Sequence, residues 1–131
     1  MPTGHCLCGA VTFTVSGESL NVSLCHCPSC KRAAGAPMVA WAMFERGAVD
    51  FTGAPLAAYA SSEGVRRGFC GRCGTAVSYE ADFMAGLIDL TVASFDDPAA
   101  LPPTMHIFTR HREPWMTGTD TLEAFEELPP Q

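Results

Sequence analysis

Seven cysteines fall into three short clusters: Cys6-Leu-Cys8, Cys25-His-Cys27-Pro-Ser-Cys30 and Cys70-Gly-Arg-Cys73. Thiolates at such intervals chelate metal ions. Zinc takes four of them in a closed structural site, or three where one position stays open for chemistry. An odd total leaves one sulfur over in any scheme of paired disulfides. A division into four and three leaves none over. Cys6, Cys8, Cys70 and Cys73 together complete a closed site that ties the start of the chain to its middle. Cys25, Cys27 and Cys30 lie within six residues and can cup an ion by themselves. The fourth position is then left to water, substrate or another side chain. Zinc there acidifies a bound water or thiol and holds the anion formed. Two zinc ions per chain are expected, the second held by fewer ligands and prone to partial occupancy.

Other readings of these residues stay open at the level of sequence. Seven buried, inert thiols would suit the preference of cysteine for interiors, but not the chelating intervals. The middle cluster could be a metal-free, redox-active trithiol, or could hold iron. Cys6 and Cys8 could share an ion with Cys27 and Cys30, which would strand Cys25.

The remaining polar candidates are less decisive. His26 sits between two ligands on an extended segment and points away from them, so it is expected to pack or to support a ligand. His5 beside Cys6 is in the same position. His106 and His111 are the later imidazoles that could approach the open site. Pro28 suits the first turn of a helix, which places Cys30 near a helix N-terminus, where the dipole lowers a thiol pKa. Lys31 with Arg32, and Arg66 with Arg67, are basic pairs that could offset an anionic ligand or simply face solvent. Trp41, Phe69 and Trp115 read as core residues. No general base can be assigned.

The elements that must position these groups are short. The chain has 131 residues, which suits a single domain spanning 1–131. It is 47% hydrophobic and 17% charged, with a formal net charge of −6. That acidic balance argues against binding a phosphate backbone, and no apolar run is long enough for a membrane span. No secretory leader is visible; a cytoplasmic location, which keeps thiols reduced, is expected. Apolar and polar residues alternate over 9–16, a strand pattern. Val39–Phe44, Ala48–Phe51, Leu56–Tyr59, Val77–Glu80, Leu87–Ser94 and Met105–Thr109 read as further strands between Gly- and Pro-containing turns. Helix is expected only after Pro28, as a turn at Asp97–Leu101, and at Thr121–Glu127. Leu128-Pro-Pro-Gln131 reads as a frayed tail. The sum is a mainly β, sandwich-like body.

Several motifs go beyond the cysteines. They are Gly4-His-Cys6-Leu-Cys8-Gly-Ala-Val11, then Cys25-His-Cys27-Pro-Ser-Cys30 with basic residues and Gly35 after it, then Ser61-Ser62-Glu-Gly64-Val. Phe69-Cys70-Gly-Arg-Cys73-Gly74, Ser94-Phe-Asp96-Asp-Pro98, Pro103-Thr-Met-His106-Ile and Pro114-Trp115 follow. In these the chain resembles the GFA family, named for glutathione-dependent formaldehyde-activating enzyme, from Gly4 to Trp115. The resemblance implies a β-tent fold of short antiparallel strands with few short helices. It implies a structural zinc on Cys6, Cys8, Cys70 and Cys73, and a catalytic zinc on Cys25, Cys27 and Cys30. The founding activity joins formaldehyde to the glutathione thiol, giving S-hydroxymethylglutathione, and is classed as a carbon–sulfur lyase in the reverse sense. The expected function is therefore a zinc-dependent lyase-type reaction on the adduct of a small thiol, glutathione in the founding case. Neither nucleic acid nor membrane is an expected partner. The alternative is a zinc-stabilised module that binds a small molecule or protein without chemistry. Centromere-associated relatives share the domain, but the acidic balance counts against a chromatin role.

Overall fold

The computed structural model describes residues 1–130; Gln131, the last residue of the expected frayed tail, lies outside the described residues. In chain order the strands are β1 (Thr3–His5), β2 (Val11–Val15), β3 (Asn21–Cys25), β4 (Val39–Glu45) and β5 (Val49–Gly53). They continue as β6 (Ala57–Ser62), β7 (Val65–Phe69), β8 (Ala76–Ala81), β9 (Leu87–Thr91) and β10 (Met105–Ile107). One α-helix, α1 (Pro28–Ala34), follows β3, and short 3-10 turns join other elements. The protein is mainly β, as its patterning predicts.

Two sheets form. The smaller has the order β1-β2-β5 and the larger β10-β3-β4-β9-β8-β7-β6. Among the described residues all strand pairings are antiparallel except β10 with β3. The core lies between the sheets: Phe13, Val15 and Val49 from the smaller meet Ala42, Phe44, Ile88 and Leu90 from the larger. Phe13 and Phe95 meet edge to face at 5.0 Å, a favoured aromatic geometry. On the outer face of the larger sheet Val39 and Trp41 of β4 are buried as well. Strand β4 is therefore apolar on both sides, and Val-Ala-Trp-Ala-Met-Phe reads as a continuous run rather than an alternation.

Three strands escape the sequence pattern. β1 is three residues long and contains Gly4. In β3, the alternation Asn21-Val-Ser-Leu-Cys25 runs straight into the cysteine motif. β7 carries two adjacent arginines and Gly68, where a β-carbon would meet Leu56 and Ser78. The expected helix at Thr121–Glu127 is absent. A 3-10 turn spans Pro114–Thr121 instead, and the chain beyond it is irregular. A helix that short needs an apolar face to dock, and Leu122, Phe125 and Leu128 all remain exposed. The last strand also stops at Ile107, because Phe108 adopts a left-handed conformation with φ 57°. The turn expected at Asp97–Leu101 is a 3-10 turn at Pro98–Ala100.

Gly4 is a place where only hydrogen fits. A β-carbon there would overlap the Phe13 ring and stand 2.5 Å from the Ser94 carbonyl oxygen. Gly4→Ala is therefore expected to cost about 1–3 kcal/mol by overpacking. Chemical denaturation would show this as a lowered midpoint at unchanged slope.

Candidate metal centres

The first cluster forms where two turns meet. Cys6 and Cys8 lie just beyond β1, in a turn closed by the Gly9 amide donating to the Cys6 carbonyl at 3.0 Å. Cys70 and Cys73 flank a second turn, in which the Gly74 amide donates to the Cys70 carbonyl at 2.8 Å. Gly74 has φ 81°, a left-handed value that a side chain would resist. The Leu7 amide donates to Thr75 Oγ1 at 3.0 Å and locks one turn to the other. Backbone amides also point at the sulfurs: Val11 to Cys6 at 3.3 Å, and Arg72 and Cys73 to Cys70 at 3.4 and 3.5 Å. Such donors favour thiolate over thiol. At Cys73 the Thr75 hydroxyl, with backbone help, holds the thiol down at about 5. Cys6 and Cys8 sulfurs are 3.7 Å apart, and Cys8 and Cys70 sulfurs 3.8 Å. A tetrahedron with Zn–S near 2.3 Å has sulfur–sulfur edges of roughly 3.8 Å, so the donor set fits zinc.

The second cluster gathers Cys25 at the end of β3, Cys27 at the cap of α1 and Cys30 in its first turn. The Cys30 amide donates to Cys27 Sγ at 3.3 Å, so one ligand caps the helix that carries another. Each cluster brings its sulfurs within 4.8 Å of one another, and they are separate groups of four and three. The alternative partition that strands Cys25 is not found. Either group could hold a metal ion. Cys25 and Cys30 already share charge unequally. Cys30 is held at about 5, chiefly by the hydrogen bond from Cys25, with Arg67 also contributing, against the opposing effect of burial. The same hydrogen bond pushes Cys25 upward. Arg67 Nη1 donates to Cys30 Sγ at 3.5 Å.

These three sulfurs line a cavity of about 550 Å³ on the outer face of the larger sheet. Strand register explains its walls, because cross-strand partners share a face. Asn21, Met43, Asp89, Tyr79 and Arg67 are successive partners across β3, β4, β9, β8 and β7. All five line the cavity. The Arg67 guanidinium lies over the Tyr79 ring, 5.0 Å from its centroid, and its Nε donates to Ser61 Oγ at 3.1 Å. Burial raises the Tyr79 phenol. Burial, and then the Cys30 charge, raise Asp89 to about 6. Beyond Cys30, Trp41 and Arg67 a smaller hollow of about 330 Å³ opens.

Several expectations are corrected here. Lys31 does not reach the cavity: its Nζ pairs with Glu113 at 2.7 Å and donates to the His111 carbonyl at 2.8 Å. With Arg32 and Trp115 it lines a separate surface hollow. Trp115 is exposed rather than core, and Trp41 is buried yet lines the cavity. Phe69 is half-buried beside the smaller hollow. His106 joins neither cluster; its Nδ1 lies 3.0 Å from Nε2 of His26. His26 is buried and turned away from the thiols, as an extended segment requires. Of the basic pairs, Arg67 alone lines the cavity; Tyr79 and Asp89 were not legible as site residues. Their only sequence signal is a polar residue breaking an apolar strand, as Asp89 does in Leu-Ile-Asp-Leu.

Among the described residues no helix is long and apolar enough to cross a membrane. Residues 1–111 match the family described as "GFA: Glutathione-dependent formaldehyde-activating enzyme". A search of curated proteins returned no match. Among solved structures, a crystal structure of a Rhodobacter sphaeroides protein is similar at TM-score 0.64 and 22% identity. The match covers 79% of this chain and 98% of that one, and it speaks for shared fold alone.

Proposed function

Because this chain belongs to the glutathione-dependent formaldehyde-activating enzyme family, we propose that it is a zinc-dependent carbon–sulfur lyase-type enzyme. Its substrate is the adduct of a small thiol, with glutathione and formaldehyde as the founding pair. The observation that carries this reading is the contrast between the two clusters. Four sulfurs are locked between two turns, while three open into a 550 Å³ cavity. In this reading Cys6, Cys8, Cys70 and Cys73 hold a structural zinc, and Cys25, Cys27 and Cys30 hold the catalytic one. A zinc ion there supplies Lewis acidity, favouring substrate sulfur as thiolate or polarising an adduct oxygen.

The chain's own side chains divide the remaining work. Arg67 is the cation within the cavity wall and complements an anionic thiol such as glutathione, a role that Lys31 cannot take. Trp41, Met43 and Tyr79 furnish apolar and aromatic surface that excludes water from the reacting atoms. A reducing, cytoplasmic setting suits seven free thiols.

The test is direct. Zinc-loaded protein mixed with formaldehyde and glutathione is expected to accelerate exchange between free thiol and S-hydroxymethyl adduct, followed by NMR. Exchange no faster than the spontaneous reaction would remove this activity. Saturable glutathione binding without acceleration would leave the non-catalytic binding module in its place.

A further inference from the structure

We infer that Asp89 is the catalytic acid–base of this cavity, exchanging a proton with the oxygen of the thiol–aldehyde adduct. The inference rests on the lyase-type reading above and assigns it the proton-transfer group that sequence alone does not reveal.

The position is the first argument. Asp89 lies in the middle of β9, between Met43 on β4 and Tyr79 on β8, and it faces the cavity that holds Cys25, Cys27 and Cys30. Its strand neighbours Ile88 and Leu90 are fully buried in the core. The backbone that carries the carboxyl is thus fixed from behind, as a proton-transfer group requires.

The surroundings are the second argument. From β4 the facing residue is Met43, which does not titrate. From β8 it is the Tyr79 phenol. From β7 it is Arg67, whose Nε and Nη1 donate to Ser61 and Cys30 and whose face lies on the Tyr79 ring. From β3 and α1 come Asn21 and the thiols, of which Cys30 is held well below its ordinary pKa. Asp89 feels burial and the Cys30 charge, with no hydrogen bond contributing among the described residues. A cavity-facing carboxyl without a partner is expensive to keep, and it is free to bond a substrate hydroxyl. Its affinity for protons, raised to about 6, lets both forms exist near neutrality, the condition for efficient general acid–base catalysis.

The step balances without any further reactant. In the direction of synthesis the substrate thiolate sulfur attacks the aldehyde carbon. A carbon–sulfur bond forms, the C=O π pair moves to oxygen, and the Asp89 carboxylic acid gives that oxygen its proton. The proton lost when the next thiol ionises restores the acid. In cleavage the Asp89 carboxylate takes the hydroxyl proton, the C=O bond re-forms and the sulfur leaves as thiolate.

Cleavage gives the clearer test, because the carboxylate must be ionised. For the zinc-loaded full chain, kcat/KM for S-hydroxymethylglutathione cleavage is expected to rise with pH as the Asp89 carboxyl, which burial raises above its ordinary value, ionises, and then to level. Asp89→Asn is expected to lower the plateau roughly 10²–10⁴-fold and erase that limb. Metal content and glutathione affinity should not change, and Asp89→Glu should recover part of the rate with the limb moved. Infrared difference spectra supply a readout apart from turnover: a carboxyl band titrating over the same pH range as the limb in the parent protein and missing from Asp89→Asn. A full rate with the limb intact in Asp89→Asn overturns the assignment, as does a loss confined to KM or a carboxyl band that titrates apart from the limb. A parent protein without acceleration removes the lyase reading and this assignment together, whereas an active parent with an equally active Asp89→Asn removes the assignment alone.

Discussion

Replacing Cys70 by serine is expected to abolish cooperative unfolding at ordinary temperatures. Cys70 is 1% exposed, receives two backbone amides on its sulfur and sits 3.8 Å from the sulfur of Cys8. A serine hydroxyl does not ionise near neutral pH, so the variant buries an oxygen beside three thiols and loses a ligand. Structural zinc sites have apparent binding energies of about 10–16 kcal/mol, and that energy is folding energy. A domain of this size holds about 5–15 kcal/mol of net stability. Losing even half of the metal term consumes most of that margin. Melting followed by circular dichroism, with metal analysis alongside, checks the expectation. A melting temperature within a few degrees of the parent would show that the four-sulfur cluster does not hold the body together.

Cys27→Ser should behave in the opposite way. The protein is expected to stay folded, carry one zinc instead of two, and lose its turnover down to the spontaneous rate. Cys27 is the helix cap, and its sulfur accepts the Cys30 amide. Serine is among the best N-cap residues, so the substitution keeps the helix start while removing a metal ligand. The cluster lies at the cavity rather than in the core between the sheets, which limits the damage to stability. Zinc stoichiometry, melting temperature and adduct exchange measured on one preparation would separate these effects. Unfolding comparable to that of Cys70→Ser would contradict the division of labour between the clusters.

The cysteine clusters were legible in the sequence because chelation is local. Ligands two or three residues apart announce themselves, and only the joining of Cys6 and Cys8 to Cys70 and Cys73 spans distance. The strands with regular patterning were legible for the same reason. β7 was not, because its interior glycine makes sense only against Ser78 on the neighbouring strand. The cavity wall was hidden more deeply. Asn21, Met43, Asp89, Tyr79 and Arg67 become neighbours through the pairing of five strands, and nothing near each residue encodes that pairing. Lys31 misled for the converse reason: adjacency to Cys30 suggested a role that its ion pair with Glu113 removes. Trp115 looked like core by residue type, yet it lies on the 3-10 turn Pro114–Thr121 and is exposed, with no second apolar layer over it.

The parallel pairing of β10 with β3 bears on how the molecule is made. A hairpin cannot supply a parallel neighbour; the chain must travel from β9 around to the far edge before Met105 can align with Ser23. On a ribosome, all four sulfurs of the closed cluster have been synthesised once Cys73 is added, while the strand that finishes the cavity is still more than thirty residues away. The nascent polypeptide can thus take up the ion that tethers its start to its middle early. The chamber for the guest is completed last, so a chain interrupted at Thr104 has all seven sulfurs but lacks the part of the wall that Met105, Ile107 and Phe108 supply.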